Sequence, residues 1–157
     1  MMLSDEEITR RLVLHEGVVL YPYKCSMGYL TIGVGRNLET NPMTEEEKKA
    51  CGDYIHGITK NAAFYLLRND IKRVTKECEQ HIPFWKQLDN ERQYALLDMV
   101  FQMGIKGVKK FRKMLLAMGV GNWKEASAQC LDSKYAVQTP VRAKRIAKTI
   151  EIGKFVI

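Results

Sequence analysis

The sequence predicts an α+β fold, mainly helical, with one small antiparallel sheet near its beginning. Residues 19–38 gather Tyr21, Tyr23, Tyr29, Thr31, Ile32 and Val34, types that favour strands, around a Ser26-Met27-Gly28 turn. The rest of the chain reads as capped segments of helical period. A length of 157 residues with 46% hydrophobic and 27% charged residues suits one globular domain, with room for two lobes but not for a second large domain.

The elements follow in order. Ser4 is a good N-cap and Glu7, three residues on, completes a capping box, while Asp5 and Glu6 suit the positive end of the helix dipole. Gly17 ends this helix. Ile8, Leu12 and Glu16 fall four apart and share one face, so a carboxylate continues an apolar stripe to the helix end. In the strand that follows, Leu30, Ile32 and Val34 take one face and Tyr29, Thr31 and Gly33 the other. Thr44 with Glu47 forms a second capping box, opening a short helix that carries Cys51. Thr59 caps a long helix to about Glu79, with Leu66, Leu67, Ile71, Val74 and Cys78 on its apolar side. Asp89 caps a helix whose stretch from Tyr94 to Met103 is apolar nearly all round, which predicts the buried centre of a bundle, and Gly104 and Gly107 are expected to break it. Phe111 to Met118 forms a short helix, Asn122 with Glu125 caps the next from Trp123, and Thr139 caps the last, with Pro140 at its first position and Gly153 past its end. Met99, Met103, Met114 and Met118 read as core packing. The expected layout is a sheet lobe over about 18–58, a connecting helix over about 59–79, and a helical lobe over about 80–157 that also takes the N-terminal helix 4–16. A cleft between such lobes is a common place for a ligand.

Composition narrows the function classes. No run of 18 apolar residues exists to span a membrane, and the acidic start Met1-Met2-Leu3-Ser4-Asp5-Glu6-Glu7 does not resemble an export signal. Cys25, Cys51, Cys78 and Cys130 form no CxxC pair, and His15, His56 and His81 have no ligand spacing, so no metal or cofactor is expected and free thiols are the default. The net charge of +7 is uneven. Residues 1–79 carry 11 Lys/Arg against 12 Asp/Glu, and residues 80–157 carry 14 against 6, which gives −1 and +8. The basic half, including Lys106, Lys109, Lys110, Arg112 and Lys113, faces either a polyanion or plain solvent. A nucleic-acid partner is not expected, because no recognised nucleic-acid motif accompanies the charge.

The chemistry concentrates early. Glu16, a carboxyl that ends an apolar stripe, either has the partial burial that suits a general acid or stands as a boundary glutamate in a surface salt bridge. Glycosidic cleavage needs such an acid on one side of the bond and a base or nucleophile on the other. Cys25 can serve as a thiolate or stand as a small turn residue, and Thr31 can orient a water or simply fill a strand.

The segment Leu14-His15-Glu16-Gly17 through Gly28-Tyr29-Leu30-Thr31-Ile32-Gly33-Val34-Gly35 resembles the phage-type lysozymes of glycoside hydrolase family 24, whose catalytic pattern is Glu, eight residues, Asp or Cys, five residues, Thr. Glu16, Cys25 and Thr31 match it. Met99-Val100-Phe101-Gln102-Met103-Gly104 and Gln138-Thr139-Pro140-Val141-Arg142-Ala143-Lys144-Arg145 are similar to the T-even branch of that family. The resemblance implies a bilobed lysozyme-like fold and muramidase action on bacterial peptidoglycan, by an endolysin acting as a monomer. With no export signal, release from the host cytoplasm to the cell wall would need a separate holin-like membrane protein. It implies Glu16 as proton donor with Cys25 and Thr31 handling water, Phe101 and Gln129 as substrate contacts, and Arg142 and Gln102 as supporting residues, Arg142 being expected to pair with Glu16. The sequence departs from the T-even branch at Cys25, where that branch has aspartate, and at Asn37 and Met114 near the sugar. Two readings stand beside the endolysin: a wall-binding relative without turnover, and a basic helical nucleic-acid binder.

Overall fold

The α+β expectation holds in a computed structural model that describes residues 3–157. Helix α1 (Asp5–Glu16) leads into strands β1 (Val19–Lys24), β2 (Leu30–Gly33) and β3 (Arg36–Asn37). Helix α2 (Glu45–Cys51), a 3-10 turn (Tyr54–His56) and helix α3 (Lys60–His81) follow, then a second 3-10 turn (Trp85–Gln87). Helices α4 (Asn90–Lys109), α5 (Arg112–Gly119), α6 (Trp123–Leu131), α7 (Lys134–Gln138) and α8 (Pro140–Ile152) complete the chain. The chain divides into two compact units at Arg73/Val74, inside α3, and α1 groups with the sheet rather than with the later helices.

In the unit Asp5–Arg73 the sheet runs β1-β2-β3, antiparallel throughout. The turn is closed by Gly28 N–H donating to Cys25 O at 2.8 Å and by Cys25 N–H donating to Tyr29 O at 2.9 Å. Thr31 and Ile32 are both buried, so strand β2 is covered on both faces rather than on one. Ile32 packs with Met43, Ile58, Ala62, Ala63 and Leu66, and Val18, Leu20 and Leu38 lean on the same cluster. Ile8 and Leu12 of α1 are also sealed from solvent. Each such side chain contributes about 1.5–3 kcal/mol of apolar burial.

The Thr44–Glu47 capping box forms as expected, with Glu47 N–H donating to Thr44 Oγ1 at 3.1 Å and Thr44 N–H donating to Glu47 Oε1 at 2.9 Å. The same carboxylate is the hub of a buried network. Arg36 donates to it through both terminal nitrogens, at 2.7 and 3.0 Å, and Asn69 Nδ2 donates at 3.0 Å. Arg36 also pairs with Asp70 at 3.1 Å. All three ionisable residues of this network are at most 5% exposed.

In residues 74–157, Met99, Met114 and Met118 of α4 and α5 are core residues as the sequence predicts, whereas Met103 is only half-buried. Four further details differ from the sequence expectation. Helix α4 kinks at Gly104 (φ 79, ψ 160) but resumes and runs through Gly107 to Lys109, so Gly107 is helical rather than a break. The stretch expected to be apolar nearly all round holds a fully buried Asp98, which accepts hydrogen bonds from Tyr94 Oη at 2.8 Å and Arg142 Nε at 2.9 Å. Thr139 does not cap α8. Its hydroxyl donates to Tyr135 O and accepts from Gln102 Nε2, both at 3.2 Å, and Pro140 opens the helix with no N–H to satisfy. The short α7, capped by Ser133, has no counterpart in the sequence expectation, because five residues carry too little periodicity to register.

Candidate active site

Helix α1 stops at Glu16 because Gly17 takes φ 71 and returns its N–H to Val13 O at 2.8 Å. The stop leaves Glu16 half-buried as the last helical residue, one turn past Leu12. Its carboxyl lies against the backbone of Gly35, just beyond β2. A Cβ built on Gly35 would fall 2.7 Å from Glu16 Cδ and 3.0 Å from its Cγ.

The pairing of β1 with β2 sets Tyr23 opposite Thr31. The phenol of Tyr23 is raised above its ordinary pKa, first by burial and then by the negative charges of Glu16 and Cys25. One half-buried ring therefore feels both acids, which brings Glu16, Tyr23 and Cys25 into one neighbourhood of the unit Asp5–Arg73.

Cys25 is partly buried at the start of the turn. Burial alone would raise its thiol, but the N–H groups of Met27 and Tyr29 and the Thr31 hydroxyl outweigh it, and the pKa is lowered from the ordinary thiol value. Thr31 is 3% exposed, and its Oγ1 donates to Tyr29 O at 2.9 Å. A hydroxyl has one proton, so Thr31 gives it either to that carbonyl or to Cys25. The arrangement gathers a carboxyl, a thiol whose pKa is lowered and a buried hydroxyl in one part of the unit Asp5–Arg73.

The other site residues implied by the resemblance, Phe101, Gln102, Gln129 and Arg142, lie in residues 74–157. Phe101 is half-buried in the last turn of α4 before the Gly104 kink. Gln102 ties α4 to Thr139. Gln129 Nε2 donates to Glu125 Oε1 at 2.8 Å, one turn back on α6. Arg142, in the first turn of α8, is held by Asp98 through its Nε. Asn37, one of the departures, accepts from Glu39 and Thr40 N–H through Oδ1, and Met114 is fully buried.

Sequence reasoning missed Tyr23, Gly35 and Asp98. Tyr23 stands two residues before Cys25 but shows its relevance only through its pairing with Thr31. Gly35 lies at the end of the segment that resembles the family, where the repeated glycine of Gly33-Val34-Gly35 is a signal of close backbone approach. Among the described residues no group of three or more His, Cys, Asp or Glu could hold a metal ion, and no helix is long and apolar enough to cross a membrane.

A family model described as phage lysozyme matches residues 13–146. A probable T4-type lysozyme 1 from Dictyostelium discoideum is 32% identical, with 88% of this chain and 89% of that protein covered. A probable T4-type lysozyme 2 from the same organism is 30% identical over the same shares. The pre-baseplate central spike protein Gp5 of Enterobacteria phage T4 is 34% identical over 96% of this chain, which spans 28% of that longer protein.

Proposed function

The chain belongs to the phage lysozyme family and is a glycoside hydrolase, and from that premise we propose that it hydrolyses the β-1,4 bond between N-acetylmuramic acid and N-acetylglucosamine in bacterial peptidoglycan, and so lyses a host cell. Glu16 donates its proton to the glycosidic oxygen as the C1–O bond breaks. A water oriented by Thr31 attacks C1 and passes a proton to the Cys25 thiolate. The observation that carries this reading is the environment of Cys25, where two backbone N–H groups and the Thr31 hydroxyl favour the anion in the neighbourhood that Glu16 shares.

Digestion of purified peptidoglycan, followed by analysis of the released fragments, tests it. Reducing muramic acid ends are the expected product. Replacing Glu16 with Gln keeps its size, removes the transferable proton and should cut the rate about 100- to 10,000-fold. Anhydromuramic ends would instead mean a lytic transglycosylase. Binding to walls without fragments would mean a relative that has lost turnover, and a Glu16→Gln protein as fast as the parent would remove Glu16 from the mechanism.

A further inference from the structure

Nine glycines adopt positive φ among the described residues, and most of those conformations alone account for the glycine. Gly52 is an example: at φ 68 an added Cβ would meet nothing within 4 Å. Gly35 has nearly the same φ, 66, but there the space of the missing side chain is occupied by the Glu16 carboxyl. We infer that Gly35 is a positioning residue for the proposed reaction, its bare backbone forming the seat on which the Glu16 carboxyl rests. The inference rests on the muramidase reading and goes beyond it by naming what fixes the acid.

The seat is held on both sides. Gly33, two residues earlier, lies against Ala63 of α3, where a Cβ would sit 3.5 Å from that side chain. Arg36, the next residue, is anchored by Glu47, by Asp70 and by Asn41 O at 2.8 Å. The backbone between these points has little freedom to retreat. The Glu16 carboxyl, at the end of a rotatable side chain, has more. A methyl group on Gly35 should therefore displace the acid rather than open the fold. A catalytic group moved by about 1 Å loses on the order of 100-fold in rate, because the productive geometry is no longer the resting one.

The test compares kcat and KM for release of reducing ends from solubilised peptidoglycan strands by the parent, Gly35→Ala and Gly52→Ala, with thermal midpoints for all three. Gly35→Ala is expected to lose kcat on the order of 100-fold with KM little changed. Gly52→Ala, also at positive φ but with open space around its Cβ, should lower the thermal midpoint through backbone strain alone and keep the parental kcat. A Gly35→Ala protein with kcat close to that of Gly52→Ala would overturn the inference, as would a loss confined to KM or accounted for by unfolding. If Gly35→Ala does not fold, the same change is made in a Glu16→Ala background. Recovery of folding there places the conflict at the acid and supports the seat, whereas failure puts it in the backbone and overturns it. A parent that releases no fragments overturns the muramidase reading, and this inference with it.

Discussion

At the scale of single residues, the proposed mechanism asks a thiol to stand where the T-even branch has aspartate. A free thiol titrates roughly four units above a free aspartate, so an unassisted Cys25 would be mostly protonated near neutrality. The N–H groups of Met27 and Tyr29 and the Thr31 hydroxyl move it in the needed direction. Cys25→Asp should therefore remain active, resist thiol reagents, and extend activity to lower pH, because its anion persists there. Cys25→Ser should be much weaker, since a hydroxyl keeps the shape and a hydrogen bond without an accessible anion. Rate profiles of the two variants against pH check this, and a fully active Ser variant would leave Cys25 only a water-positioning role. The three residues proposed to carry the reaction stand out in the sequence because they lie within sixteen consecutive positions and at fixed spacing. Tyr23 and Gly35 do not, since their importance depends on a cross-strand partner and on a close approach between α1 and the chain after β2.

At the scale of elements, caps and apolar stripes are legible in the sequence and long-range polar partners are not. Thr44 and Glu47 announce a helix start, but nothing local says that Glu47 also takes both arms of Arg36. Thr139 has the residue type and position of a cap, yet its hydroxyl is spent on Tyr135 and Gln102. The Glu47 network has a pH signature with a definite sign. Burial would raise the Glu47 carboxyl, but Arg36, Asn69 and the Thr44 N–H overcome it and hold the pKa at about 2. A carboxyl lowered on folding adds stability above its unfolded value, near 4.3, and loses it as pH falls through the folded value. Asp70, in the same network, moves the other way because its burial outweighs Arg36 and Arg73, so this network's share of the falling acid limb belongs to Glu47. Thermal midpoints measured from pH 5 down to 2 should drop for the parent and drop less for Glu47→Ala. At neutral pH that variant should lose about 3 kcal/mol, the cost of stripping a partner from a buried ion pair. An acid limb of unchanged slope would mean that other carboxyls control it.

At the scale of the whole molecule, the charge imbalance between net −1 over residues 1–79 and +8 over 80–157 bears on how an anionic wall is captured. Exposed charge is screened beyond about 8 Å at physiological ionic strength. Lysis of whole walls should fall as salt rises, while cleavage of a short neutral chitooligosaccharide should change much less. Equal salt sensitivity for both would count against capture by charge. The four free cysteines have a different use. Cys25 is partly accessible and its thiol is lowered, whereas Cys78 and Cys130 are sealed and burial pushes both up to about 12. A thiolate forms and reacts only where solvent can reach it, so the latter two can be tagged only in molecules whose helical unit has opened. The chain thus carries an internal clock for its own unfolding. Pulsed alkylation followed by mass spectrometry should tag Cys25 first, Cys51 more slowly, and the final pair together at the rate or population of opening. Rapid tagging of all four in native buffer would mean the helices admit water far more often than their packing implies.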